Sequence, residues 1–167
     1  PQRGRTPTWL MARTGEPSVW QTAAEAMQLL SLPSPKTRNE AIERAVAAAR
    51  IVGSPGFEFD EDATRVRATL AYDRSYDPQG IARQAIACIA SGNRTSRLRS
   101  LGVPTLVIHG SDDKMCDVSG GEAIADAIEG SKLMIIEGMG HSLPRALWPR
   151  IASSIAEQVR AYESADP

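Results

Sequence analysis

Apolar positions in this chain change their spacing near residue 100. Before it they recur every three or four residues, the period of a helix face; after it they form short unbroken runs. In the first part, Val19, Ala23, Met27 and Leu30 share one face, and Ser18 with Gln21 three residues on resembles a capping box. "SLPSPK" breaks that helix. Ser34 then reads as an N-cap with Pro35 at the first helical position, and Ile42, Ala45, Val46 and Ala49 supply the apolar face up to Gly53. "GSPGF" is a loop, and a third short helix is expected over Asp62 to Tyr72. Asp77-Pro78 repeats the cap and proline signal, with Ile81, Ala85, Cys88 and Ile89 as its face and Gly92 as its stop. In the polar opening, only Trp9-Leu10-Met11 reads as a short strand.

Beyond Leu101 the runs "VPTLVIHG" and "KLMIIEG" suit strands buried on both faces. "GGEAIADAIEG" between them is a short helix. The closing helix places Leu147, Ile151, Ile155 and Val159 four apart on one side. Strand, helix, strand, helix predicts a parallel α/β unit with a right-handed crossover. Two good strands and one short one make an incomplete sheet, whose open edge is expected to favour self-association.

Composition narrows the functional classes. With 42% hydrophobic residues and a net charge of −1, the chain reads as soluble and globular, with no electrostatic case for nucleic acid or anionic membrane. Aromatics at 5% argue against stacking platforms for bases or sugars. Cys88 and Cys116, the only cysteines, fit a reducing compartment and cannot by themselves hold zinc. No apolar run approaches the roughly 18 residues of a membrane span and no signal peptide is visible, so a cytoplasmic location is the default expectation. A chain opening on proline without methionine is expected to be part of a longer one.

The candidate chemistry lies where the two runs end. The first leads into His109-Gly110-Ser111-Asp112-Asp113-Lys114, the second into Gly138-Met139-Gly140-His141. Ligands of open parallel sheets bind beyond the carboxyl ends of the strands, so an acid and a histidine arrive at one edge. A carboxylate on one imidazole nitrogen fixes the tautomer and leaves the other nitrogen to take a proton. The glycines beside Met139 allow the tight turn that aims His141 inward.

"VPTLVIHGSDD" followed by "EGMGHSLP" resembles the C-terminal half of an α/β-hydrolase, and "AYDRSYDPQGIARQAIACIASGNRTSRLRSL" resembles its aclacinomycin methylesterase-like branch. The similarity runs from about residue 12 to residue 162. It implies a partial α/β-hydrolase fold: a core-strand remnant over 1–14, a helical cap over 15–92, and the last strand-helix-strand-helix of a parallel sheet over 93–167. It also implies a triad acid at Asp113 rather than Asp112, a base at His141, and no metal or organic cofactor. A hydrophobic small-molecule ester is the implied substrate, with Met139, Leu143, Trp20 and Met27 as candidate pocket residues beside Met11. His109 reads as a packing residue, Cys116 has nothing to activate its thiol, and Arg74 and Arg83 read as surface ion-pair partners.

Two departures stand out. Lys114-Met115-Cys116-Asp117 replaces the family's proline-containing acid loop. The nucleophile elbow Gly-x-Ser-x-Gly is absent from the 167 residues; the nearest string, Gly53 to Gly56, has Val52 where the first glycine belongs and sits between helices. The resemblance therefore implies a carboxylic-ester hydrolase in its complete form. An inactive fragment, or a ligand- or partner-binding module, are the competing readings.

Overall fold

Among the described residues, strand β1 (Thr8–Leu10) and strand β2 (Leu106–Gly110) are separated by five α-helices: α1 (Ala24–Ser31), α2 (Arg38–Val52), α3 (Glu61–Arg74), α4 (Pro78–Ala90) and α5 (Thr95–Arg99). After β2 come α6 (Ser119–Ala127), β3 (Lys132–Ile136) and α7 (Trp148–Ala165). The computed structural model describes residues 6–19 and 22–165. The strands form one parallel sheet in the order β1-β2-β3, with Trp9 opposite Val107 and Val107 opposite Leu133. The two predicted strands and the short one at Trp9 are all present, but β3 is not buried on both faces as expected: at the edge of the sheet, its Leu133 and Ile135 are each 40% exposed.

All five residues of β2 are buried, because each face of the sheet carries a helix. Leu106 and Ile108 pack with Ile136, Met139, Leu147 and Ile151, which ties β2 and β3 to the start of α7. Val107 points the other way, to Leu98 of α5 and Ile124, Ala127 and Ile128 of the α6 segment. Alternation with period two sends neighbouring side chains into two different cores, so the run Leu106-Val107-Ile108 has no polar position to spare. Each of these fully buried aliphatic chains contributes about 1.5–3 kcal/mol through removal from water.

Several expected boundaries move. α1 begins at Ala24 with Ala23 at the cap and no side-chain cap bond, while Pro17–Val19 is a 3-10 turn. Ser18 bonds the Glu16 carboxylate at 3.4 Å rather than a helix amide, and Gln21, its expected capping-box partner, lies outside the described residues. α2 is capped by Thr37, not Ser34: the Thr37 hydroxyl accepts from Glu40 N–H at 3.2 Å, and the Glu40 carboxylate accepts from Lys36 N–H at 2.8 Å. The sequence places a Thr-x-x-Glu capping box there, a stronger start signal than Ser34-Pro35. α3 starts one residue earlier than predicted, at Glu61, where the Asp60 carboxylate caps it, and ends two residues later, at Arg74. Asp77 caps α4 as expected, accepting from Gly80 N–H at 2.9 Å.

The faces of α2 and α4 fare differently. Ile42 and Val46 of α2 are buried. No residue of α4 is buried, and Ile81, Ile86 and Ile89 are 64%, 65% and 76% exposed. Among the described residues no helix is long and apolar enough to cross a membrane.

Candidate active site

The chain leaves β2 through Gly110, whose backbone lies so close to the next loop that an added Cβ would sit 2.0 Å from the Met139 carbonyl oxygen. Only glycine permits that approach. It lets Asp112 N–H donate to Met139 O at 3.0 Å and Ser111 N–H to Ile136 O at 3.1 Å, while Gly138 N–H donates to Ser111 Oγ at 2.9 Å. The loops after β2 and β3 are thereby stitched into one unit.

Within that unit Asp113 meets His141. Asp113 Oδ2 lies 2.7 Å from His141 Nδ1, and its Oδ1 accepts from Met115 N–H at 2.9 Å and Cys116 N–H at 2.8 Å. The carboxylate is fully buried and the imidazole is 31% exposed. Burial alone would raise the Asp113 pKa; hydrogen bonds from His109, His141 and Cys116 N–H outweigh it and hold the carboxyl well below the usual carboxylate range. The acid is thus ionised across the neutral range. His141 Nδ1 donates to it, and no described residue hydrogen-bonds Nε2, so the ring has its second nitrogen free for proton transfer.

His109 stands behind the acid. It is completely buried, with Nε2 2.8 Å from the Cys116 carbonyl and 3.5 Å from Asp113 Oδ2. Burial pushes its pKa down, and the Asp113 carboxylate and Cys116 carbonyl together push it up further, leaving it raised. A Cβ at Gly121 would lie 2.5 Å from its Nδ1, which places α6 directly against the ring.

The departures in the acid loop do not remove its support. The amides that hold Asp113 belong to Met115 and Cys116, and the carbonyls of Lys114 and Met115 turn toward the start of α1. Lys114 O accepts from Ala23 N–H at 2.9 Å and Met115 O from the Thr22 hydroxyl at 3.1 Å, which anchors the start of α1 to the acid loop.

The candidate pocket residues scatter. A cleft of about 490 Å³ opens between the α2–α3 loop and the segment after His141, lined by Phe57, Phe59, Leu143, Pro144 and Trp148 among others. Leu143 lines it. Met139 does not: its side chain is 0% exposed in the core under the histidine loop. Met27 is half exposed on α1 and away from the cleft, Met11 packs partly buried against the core, and Trp20 lies outside the described residues. Asp113 and His141 do not line the cleft, whereas Ser142 and Ser54 do. Arg83 pairs with Asp77 at 2.8 Å on the surface. Among the described residues no three His, Cys, Asp or Glu side chains converge as a metal set.

In the sequence the loop Gly53–Gly56 reads as a connection between helices that lacks a nucleophile elbow, and nothing local marks its contact with the histidine loop. Five hydrogen-bond contacts among the described residues tie residues 52–56 to the histidine loop. The visible signal was two glycine-rich turns in one chain, each able to approach the other's backbone closely.

Comparison with known proteins identifies the family and the fold. The family Hydrolase_4, described as serine aminopeptidase, S33, matches residues 21–145. Rhodomycin D methylesterase DnrP of Streptomyces peucetius is 30% identical over 158 residues, 90% of this chain and 52% of its own length. DauP, the rhodomycin D methylesterase of Streptomyces sp. (strain C5), is 30% identical over 162 residues. The chain spans about half the length of the curated relatives it matches. Among solved structures, esterase RhEst1 from Rhodococcus sp. ECU1013 superimposes with a TM-score of 0.64 at 23% identity, over 95% of this chain and 56% of that one. Esterase EaEST from Exiguobacterium antarcticum gives a TM-score of 0.65 at 19% identity, over 95% of this chain and 57% of that one. The fold is that of an α/β-hydrolase.

Proposed function

The chain belongs to the Hydrolase_4 (serine aminopeptidase, S33) family of α/β-hydrolases, and on that premise we propose that it supplies the acid and base of a serine-type carboxylic-ester hydrolase. The observation that carries this reading is the 2.7 Å contact between His141 Nδ1 and a buried Asp113 whose other oxygen is held by two backbone amides. Asp113 keeps the imidazole proton on Nδ1. Nε2 of His141 takes the proton of an attacking serine hydroxyl as its oxygen bonds to the ester carbonyl carbon. It returns that proton to the departing alcohol, then draws one from the water that attacks the acyl-enzyme and passes it to the serine oxygen as the carboxylic acid leaves. No Gly-x-Ser-x-Gly elbow occurs in the 167 residues, so in this reading the serine and its oxyanion donors come from sequence outside them.

Residues 15–92 act as the cap over that site, and 93–167 as the end of the hydrolase core. The start of α1 and the Gly53–Gly56 turn, each bonded to one of the two site loops, support this division. The substrate class is a methyl ester on a bulky hydrophobic body. The 30%-identical methylesterases and the aromatic lining of the cleft favour ester over peptide, although the same acyl chemistry serves both.

The test is release of acid from methyl esters of aromatic carboxylic acids by protein purified from its native source, compared with His141→Gln and Asp113→Asn. Asp113→Asn should lower kcat by about 10⁴-fold and His141→Gln by about 10⁶-fold, as loss of a triad acid or base does elsewhere. Equal rates in all three proteins would sink the assignment. A second reading, association with another chain, is favoured by the bare isoleucines of α4 and the free edge of β1. Sedimentation velocity across a hundredfold concentration range tests it, and a constant monomer coefficient would exclude self-association.

A further inference from the structure

The loop Gly53–Gly56 and the loop carrying His141 meet backbone to backbone. Gly56 N–H donates to Gly138 O at 2.9 Å, and His141 N–H donates to Val52 O at 2.7 Å. Between these two bonds, Ser54 Oγ accepts from Gly140 N–H at 3.0 Å and lies 2.8 Å from Ser142 Oγ. The approach is closed to any side chain. A Cβ on Gly56 would lie 2.7 Å from the Gly138 Cα, and one on Gly140 would lie 1.9 Å from the Gly53 carbonyl oxygen. Gly138, at φ +71°, also takes a backbone conformation that L side chains rarely adopt.

These bonds leave the histidine loop little freedom of its own. The amides of Gly140 and His141 and the carbonyl of Gly138 all end on residues 52–56, so the backbone that aims the imidazole is fixed by the helical stretch and not by the sheet alone. Gly140 is buried, and an amide there without a partner would carry the full cost of desolvation. The hydroxyl that satisfies it belongs to Ser54, 86 residues away in sequence.

We infer that the Gly53–Gly56 turn clamps the base loop, with Ser54 as the positioning residue that sets the orientation of His141 toward Asp113. The inference rests on the reading of His141 as the base. It also assigns a direction of control: displacement of the α2–α3 connection releases Gly140 and lets the imidazole turn from the acid. Ser54 touches no reacting atom in this account. It acts through the backbone on either side of His141, and a merely structural serine would leave the ring's proton unaffected.

The test uses the whole 167-residue chain, isotopically labelled, and reads hydrogen exchange of the Gly140 amide together with the His141 Nδ1–H signal by NMR. Ser54→Ala should speed exchange at both protons roughly two- to tenfold, the range set by loss of one hydrogen bond. Amides of β2 should keep their wild-type protection. Ser54→Thr, which retains the hydroxyl, should restore both signals, and Ser142→Ala should leave the Gly140 amide protected. Unchanged exchange in Ser54→Ala would overturn the inference. So would a uniform rise that includes β2, because the serine would then only support the fold. Neither readout needs turnover, so a chain without ester hydrolysis would defeat the functional reading and leave the clamp to stand or fall by exchange alone.

Discussion

Gly110→Ala tests the stitching of the two site loops most sharply, because it adds one methyl group and removes no functional atom. The new Cβ would lie 2.0 Å from Met139 O, 2.5 Å from Met139 C and 3.0 Å from Gly140 O. Relief to 3.0 Å at the nearest atom requires the histidine loop to retreat by about 1 Å, and both obstructing groups are backbone, which cannot swing aside. Overpacking of this kind costs about 1–3 kcal/mol. A retreat of that size also stretches the Asp112 N–H to Met139 O bond, now 3.0 Å, beyond useful range and forfeits about 1 kcal/mol more. The sum is about 2–4 kcal/mol. The same movement draws His141 Nδ1 away from Asp113 and should abolish their 2.7 Å bond. Urea unfolding followed by circular dichroism reads the first effect, and the downfield Nδ1–H resonance reads the second. Gly102→Ala is the control, since its added Cβ meets nothing within 4 Å. A loss below about 0.5 kcal/mol for Gly110→Ala, the scale of ordinary surface substitutions, with the resonance intact would refute the reasoning.

Two further outcomes follow from the same geometry. The Asp113 carboxyl titrates below its ordinary value of 3.8, so the unfolded chain binds the proton first. Its contribution to stability is fully present above that value and is lost as pH falls from it toward the depressed folded pKa. Urea midpoints measured from pH 6 downward should therefore decline below about pH 4, and Asp113→Asn should flatten that decline while lowering stability at neutral pH. An identical slope in the variant would show that other carboxylates govern acid unfolding. Thr37→Ala should cost about 1 kcal/mol by leaving Glu40 N–H without its cap; a midpoint equal to wild type would return the start of α2 to the predicted Ser34.

The sheet and the meeting of Asp113 with His141 were legible in the sequence because both depend on local pattern. Unbroken apolar runs mark the strands, although only β2 is covered on both faces while Leu133 and Ile135 of β3 stay partly exposed, and a loop that follows such a run must reach the carboxyl edge of the sheet. Asp113 and His141 come from adjacent strands, so topology alone nearly brings them together. The pocket residues were not legible in the same way. Met139 sits beside His141 in sequence, but the turn that presents the imidazole sends the methionine into the core beneath it. Leu143, two residues past His141, follows the chain out to the cleft. The face of α4 was read correctly as apolar, yet nothing in a helical period says whether a partner covers it. Ser54 was missed because its partner, Gly140, is 86 residues distant, and the contact depends on two backbones approaching more closely than any side chain allows.

The central claim is that Asp113 and His141 serve a nucleophilic serine. Its most direct test is reaction of the native-source protein with a fluorophosphonate probe, followed by intact mass and peptide mapping. The account predicts one adduct, on a serine of a Gly-x-Ser-x-Gly elbow in the same assembly as these residues, with labelling strongly reduced in His141→Gln. A natural mass of 18.0 kDa with no adduct would contradict it.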